Sequence, residues 1–89
     1  MTDFEEIWRR IQRHAGETFH TITGLPFTYA VPGDYIRVTR DGREINRSLS
    51  KTNFRKAEGT MPVDGPGALR GRQGAAYTWA TLSDSRVRG

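Results

Sequence analysis

The stretch Phe27-Thr-Tyr-Ala-Val-Pro-Gly-Asp-Tyr-Ile-Arg-Val-Thr39 decides the fold, because two strand-like segments flank a turn within it. Residues 27–31 and 35–39 are rich in β-branched and aromatic side chains, which favour strands. Residues 32–34, Pro-Gly-Asp, are of the types that tight turns require. Together these features predict a β-hairpin.

The turn has two possible positions, which give different registers. Tyr29 lies opposite Ile36 if residues 32–33 form the turn, and opposite Val38 if residues 33–34 form it. Because the registers differ by two residues, either one places the same side chains on the face that packs on a helix. These are Phe27, Tyr29, Val31, Ile36 and Val38. A three-residue turn would invert the second strand.

The other face of the hairpin is predicted to be polar and exposed. It carries Thr28, Ala30, Tyr35, Arg37 and Thr39. Tyr35 lies beside Arg37 on this face, so Tyr35 is the aromatic candidate for stacking on a base or a ribose.

An amphipathic helix and a first strand are predicted ahead of the hairpin. Thr2 and Glu5 fit a capping box, and Gly16 is expected to end the helix in a left-handed conformation. The apolar residues between them recur at helical spacing: Phe4, Ile7, Trp8, Ile11 and Ala15. Ion pairs at i,i+4 are expected between Glu5 and Arg9 and between Glu6 and Arg10. Residues 19–23 then alternate as a strand.

Shorter elements are predicted after the hairpin. Asp41 and Gly42 mark a turn, residues 43–49 form a connector, and Ser50 caps a helix over residues 51–58 with Phe54 and Ala57 facing inward. The alternative is one helix over 43–58, with a basic ridge of Arg43, Arg47, Lys51 and Arg55. We prefer the shorter helix because Ser48, Ser50, Thr52 and Asn53 are poor in helix interiors.

The C-terminal third is predicted to be less regular. Residues 59–74 form a Gly/Pro-rich loop with one turn near residues 68–69. Residues 75–82 fit a helix or a strand, with helix favoured and Trp79 in the core. Residues 84–89 form a frayed basic tail.

These elements predict a single small α+β domain over residues 1–89. An N-terminal helix packs on a three-stranded antiparallel sheet, and one or two short helices follow. The chain has no cysteine, which excludes disulfides and thiolate metal sites. It contains neither a secretory signal nor an apolar run long enough for a bilayer, so we expect a cytoplasmic protein without membrane contact.

Charge is concentrated in residues 37–56, which hold seven of the fourteen basic residues and two acidic ones. Seven minus two gives +5 for this segment, against a net charge of +4 for the whole chain. Such a segment is typical of a surface that binds phosphate, although a GC-rich genome also favours arginine. The candidate nucleic-acid contacts are Arg37, Arg40, Arg43, Arg47, Lys51, Arg55 and Lys56, with Tyr35 for stacking and Arg70 and Arg72 from the loop.

The sequence therefore predicts a non-catalytic DNA- or RNA-binding domain. The alternative is an interaction module that docks on an acidic protein, for which a basic rim around an exposed Trp79 or Leu82 would be the sign. No motif indicates a cofactor, a catalytic triad or a metal site. A small hydrolase that uses His20 with Glu17 is a third possibility, and it would require these two side chains to converge in a cleft.

Overall fold

A computed structural model describes residues 3–61, 65 and 74–88, with backbone only at residues 46 and 47. Two helices and the sheet come first in these ranges: α1 (Phe4–Arg13), β1 (Phe19–His20), β2 (Pro26–Gly33), β3 (Tyr35–Arg40), β4 (Arg43–Ser50) and α2 (Lys51–Glu58). Helices α3 (Ala75–Ser83) and α4 (Ser85–Arg88) follow. The described strands form one antiparallel sheet in the order β1-β2-β3-β4. The predicted α+β class is confirmed.

The β2–β3 hairpin has the register in which Tyr29 pairs with Val38. The pairing shifts towards the turn, where Gly33 pairs with Tyr35. Four of the five side chains predicted to face the helices are buried and the fifth, Val31, is half-buried. The predicted inner face is therefore confirmed.

The predicted connector over residues 43–49 is instead strand β4. Asp41 and Gly42 both have positive φ values, 55° and 74°, which is the conformation of a two-residue hairpin turn. The pairing with β3 shifts between Arg37 and Thr39, and beyond this irregularity Leu49 is buried opposite Ile36. Both the three-stranded sheet and the alternative long helix are therefore wrong.

The first strand and the first helix also differ from the prediction in detail. Strand β1 ends at His20 because the chain turns, with the Thr21 N–H donating to the Leu25 carbonyl at 3.0 Å. The N-cap of α1 is Asp3, whose carboxylate accepts from the Glu6 N–H at 3.0 Å. Glu6 forms the ion pairs with both Arg9 and Arg10, so the predicted pair of Glu5 with Arg9 is not made.

The helices cover one face of the sheet and enclose the core. Helix α1 contributes Ile7, Trp8 and Ile11, and the Tyr29 hydroxyl of β2 donates to the Ile11 carbonyl at 2.6 Å. The predicted Ser50 cap is confirmed, since its hydroxyl accepts from the Asn53 N–H at 3.0 Å. Phe54 and Ala57 of α2 are buried as predicted. None of the described helices is long and apolar enough to span a bilayer.

Residues 75–83 are helical, which agrees with the preferred prediction, and Trp79 is half-buried against the core. The predicted frayed tail is instead ordered over α4, with Val87 fully buried. Arg10 donates to the carbonyls of Val87 and Arg88, each at 3.1 Å, which joins α4 to α1. The turn expected near residues 68–69 lies outside the described residues.

Candidate functional site

The face of the sheet opposite the helices is the main candidate surface, and we call it the open face. Strand β3 lies between β2 and β4 and presents Tyr35, Arg37 and Thr39 on this side, because Ile36 and Val38 point into the core. The flanking strands add Thr28, Ala30, Ser48 and Ser50. Two of the predicted site residues, Tyr35 and Arg37, are therefore neighbours on one surface.

The neighbours of Tyr35 and Arg37 across the sheet are all small. Arg37 pairs with Ala30 on one side and with Ser48 on the other, and all three residues are exposed. Tyr35 pairs with Gly33 and Ser50. A large side chain on the central strand between small ones on both flanks can be approached by a flat ligand from several directions.

The Tyr35 ring is half-buried and lies alongside its glycine neighbour. A Cβ placed on Gly33 would be 3.5 Å from the Tyr35 Cε1 atom, which is an ordinary packing distance. This contact restricts the ring without requiring a bulky residue beside it. A ring held in this way is a suitable platform for stacking, since every nucleic-acid base has a π face.

Arg37 is ion-paired on the open face with Glu44, the cross-strand neighbour of Thr39. Both side chains are about half exposed, 44% and 48%. An exposed ion pair is weakened by solvent and by salt, so Glu44 does not commit Arg37 permanently. A phosphate group can compete with this carboxylate for the guanidinium.

Arg40 and Arg43 flank the β3–β4 turn and are directly paired across it. Arg40 lies two residues after Val38 and four after Ile36 on β3, so its side chain emerges on the same side of the sheet, which is the side of the helices. Its Nη1 atom donates to the Tyr77 hydroxyl of α3 at 2.9 Å. Arg43 is exposed and has no ion pair within the described part of the chain.

The basic residues of α2 lie at the other end of the β3–β4 hairpin. The Lys51 N–H donates to the Asp34 carbonyl at 2.8 Å, which places the start of α2 beside Tyr35 rather than beside Arg40. The six residues of β3 separate these ends by about 17 Å at roughly 3.3 Å per residue. The basic segment is therefore divided between two ends of the sheet.

Lys51 and Arg55 are further occupied by one carboxylate of α1. Glu5 accepts from the Lys51 Nζ at 3.0 Å and from the Arg55 Nη2 at 2.9 Å. These hydrogen bonds, that of Lys51 first, hold the pKa of Glu5 below its usual value. The same cations lie over the rings of Trp8 and Phe4, at 5.9 and 5.3 Å from the ring centroids. These two residues join α2 to α1.

Four of the predicted contacts remain, namely Arg47, Lys56, Arg70 and Arg72. Lys56 is exposed on α2 and forms no ion pair with another described residue. The side chain of Arg47 and the whole of Arg70 and Arg72 lie outside the described residues.

Neither the interaction module nor the small hydrolase shows all of its expected features in the described residues. Leu82 is fully buried, so the exposed apolar patch predicted for an interaction module does not include it. The exposed large apolar residues of the described chain are Ile22 and Leu25, in the turn after β1. Glu17 bonds to His14 at 2.9 Å and to Arg86 at 3.1 Å, whereas His20 is exposed on β1. The described residues contain no cluster of three or more His, Asp or Glu able to hold a metal.

A shallow pocket of about 300 Å³ lies near the β3–β4 turn. It is lined by Thr18, Pro26, Phe27, Thr28, Thr39, Asp41 and Gly42. The only charged group among these is a carboxylate, so the pocket is not an anion site.

Comparisons with protein-family models, with curated proteins and with solved structures find no match.

Proposed function

We propose that this domain binds single-stranded DNA or RNA on the open face of its sheet. The observation that carries the proposal is the placement of Tyr35 and Arg37 on the central strand between small neighbours. Tyr35 stacks on a base and Arg37 contacts a phosphate, while Arg40 and Arg43 contact phosphates beyond the end of the strand, on the helix side of the turn.

The spacing of the two central residues suits a single strand. Tyr35 and Arg37 are two residues apart on β3, which is about 6.6 Å along the strand. Ala30 and Ser48 flank Arg37 and are too short to prevent a base from lying across the sheet. In a duplex the base faces are already stacked, so Tyr35 gains a partner only when the bases are unpaired.

The distribution of charge sets the expected salt dependence. Arg37, Arg40 and Arg43 lie on or next to the strand that carries Tyr35, whereas Lys51 and Arg55 are held by Glu5. Each phosphate contact on a single strand contributes roughly −0.7 to the slope of log K against log salt. Three contacts give a slope of about −2, and contacts from all seven basic residues of segment 37–56 would give about −5.

Fluorescence anisotropy with labelled oligonucleotides tests the proposal. Single-stranded DNA, single-stranded RNA and a duplex are titrated at several salt concentrations. We expect the single strands to bind more tightly than the duplex, with a slope near −2. If none of the oligonucleotides shows salt-sensitive binding at low ionic strength, the proposal is wrong.

Matched variants separate stacking from charge. Tyr35→Phe keeps the ring and should bind as the wild type, whereas Tyr35→Ala should weaken binding by about 1–3 kcal/mol, the typical contribution of a stacked base. Arg37→Gln should weaken binding, and Arg9→Gln is its control, because both arginines are exposed and ion-paired but Arg9 lies on α1.

The same variants identify the alternative function. Poly-glutamate serves as the probe for an acidic protein partner. If it binds as tightly as the oligonucleotides and Tyr35→Ala changes neither affinity, the surface is a docking site for acidic chains and the nucleic-acid proposal is wrong.

A further inference from the structure

Arg40 and Arg43 place two positive charges side by side at the β3–β4 turn. They are paired across the hairpin, so their side chains emerge on the same side of the sheet. Like charges at directly opposite positions destabilise a sheet. A further anion that lies between or beside the two guanidinium groups therefore stabilises the arrangement.

In the described part of the chain, little negative charge compensates this pair. Within the described ranges Arg40 is ion-paired with Asp41, whose carboxylate oxygen lies 3.9 Å from the Arg40 Nε and whose side chain is 82% exposed. Glu44 lies on the opposite face, where it is paired with Arg37. In the described ranges Arg43 has no acidic partner, so the pair keeps most of its charge.

Tyr77 fixes the position of one member of the pair. Its hydroxyl accepts from the Arg40 Nη1 at 2.9 Å, and its ring meets the buried Phe27 edge-on with the centroids 5.1 Å apart. A guanidinium has five N–H donors, so this bond leaves others available to a ligand. Arg40 is thus oriented by the core while its remaining donors are free to bind an anion.

We infer that Arg40 and Arg43 bind the terminal phosphate group of the single strand that lies on the open face. This inference rests on the proposed function. A phosphate monoester carries a charge of about −1.5 to −2 near neutral pH, whereas an internal phosphodiester carries one negative charge. Two adjacent guanidinium groups match the dianion, and bidentate contacts favour arginine over lysine at such a site.

The position of the pair is consistent with recognition of an end. A strand that follows β3 from Tyr35 passes Arg37 and reaches the turn about 10 Å further on, at roughly 3.3 Å per residue. The chain reverses there through Asp41 and Gly42, so the sheet ends. We place the last phosphate of the strand at this turn, where it meets the pair on the helix side of the sheet.

Three versions of one oligonucleotide test the inference on the intact chain. They carry a 5′-phosphate, a 3′-phosphate or hydroxyl groups at both ends, and their affinities are measured by competition against a labelled strand. We expect one phosphorylated version to bind about tenfold more tightly than the hydroxyl version, the factor typical of a charge-assisted hydrogen bond. Inorganic phosphate at millimolar concentration should abolish this preference.

Arg43→Gln and Tyr77→Phe should lower the ratio of the affinities for the phosphorylated and hydroxyl versions towards one. Arg9→Gln should leave this ratio unchanged. Circular dichroism of each variant verifies that the fold is retained. Tyr77→Phe keeps the ring against Phe27 and removes only the hydroxyl, so its effect reports on the orientation of Arg40.

Equal affinity of the wild type for all three versions overturns the inference and leaves the proposed function intact. The same conclusion holds if inorganic phosphate binds but no end preference exists, because the pair is then a site for free phosphate. Absence of binding by any oligonucleotide overturns both proposals.

Discussion

Substitution of Gly74 by alanine should destabilise the domain far more than a typical glycine substitution. Gly74 precedes α3 and has a φ of 67°, a left-handed conformation that costs a residue with a Cβ about 1–2 kcal/mol. A Cβ at this position would lie 2.5 Å from the Cδ2 atom of Leu49 and 3.2 Å from its Cδ1 atom. Leu49 is 1% exposed, so it has little room to move away.

The two effects combine to a loss of about 2–5 kcal/mol in the free energy of unfolding. Forcing extra carbon into a packed core costs about 1–3 kcal/mol, which adds to the conformational term. A domain of 89 residues has a total stability of roughly 4–13 kcal/mol at 0.05–0.15 kcal/mol per residue. Gly74→Ala should therefore remove a large part of it.

The matched control is Gly42→Ala. Gly42 also has a positive φ, 74°, but a Cβ there would have no atom within 4 Å. Urea denaturation followed by circular dichroism should give a loss of about 1–2 kcal/mol for this variant, from the conformational term alone. The difference between the two variants measures the clash with Leu49.

A double variant completes the test. Leu49→Val shortens the side chain that the new Cβ meets, so Gly74→Ala should cost less in that background than in the wild type. If Gly74→Ala and Gly42→Ala cost the same, or if the Leu49→Val background leaves the cost unchanged, the packing of Gly74 against Leu49 is not as described. That packing also sets the position of Tyr77, one turn further along α3, and hence the orientation of Arg40.

Three further predictions concern single contacts. Glu44→Gln should tighten oligonucleotide binding because it releases Arg37, and unchanged or weaker binding in anisotropy titrations would argue against a role for this arginine. The Arg86 guanidinium lowers the pKa of Asp84, so the charged carboxylate stabilises the fold above its unfolded pKa of about 3.9 and this contribution disappears as the pH falls through the folded value. Denaturation between pH 5 and 2 should therefore show a smaller loss of stability for Asp84→Asn than for the wild type, and parallel curves would refute this. Ser50→Ala should cost about 1 kcal/mol in urea denaturation through loss of the α2 cap, and a neutral effect would show that the hydrogen bond to Asn53 contributes nothing.

The hairpin and the helices flanking the sheet could be predicted from sequence because their signals are local. Large apolar residues occupy every second position of each strand, at Phe27 and Tyr29 in β2 and at Ile36 and Val38 in β3. This two-residue period predicts both the strands and their buried face. Ser50 identified the start of α2 in the same way, through the hydrogen-bonding capacity of a single side chain.

Strand β4 was missed because its pairing with β3 is irregular. Ile45 packs against the core and Leu49 is buried in it. Because the pairing with β3 shifts between Arg37 and Thr39, these two core-facing residues of β4 are four residues apart, a spacing that is also typical of a helix. The Asp-Gly turn at residues 41–42 was the available signal. This dipeptide favours the turn that joins adjacent strands, so a strand should have been expected directly after it.

The separation of the basic residues between two ends of the sheet could not be predicted from the sequence. The carboxylate that binds two of these residues is distant from them along the chain. Glu5 lies 46 residues from Lys51 and 50 from Arg55, yet it binds both. The ordered α4 has the same cause, since Arg86 reaches Glu17 across 69 residues and Arg88 reaches Glu58 across 30. Net charge along a segment does not reveal such pairs, and only the fold brings them together.

Mapping of amide chemical shifts tests the central claim, that the open face binds single-stranded nucleic acid, most directly. The ¹⁵N-labelled domain is titrated with an unlabelled single-stranded oligonucleotide. We predict that the largest changes occur in β3 at Tyr35 and Arg37 and at their flanking residues Ala30 and Ser48. Changes that instead centre on α2, or no changes at all at low salt, would contradict the claim.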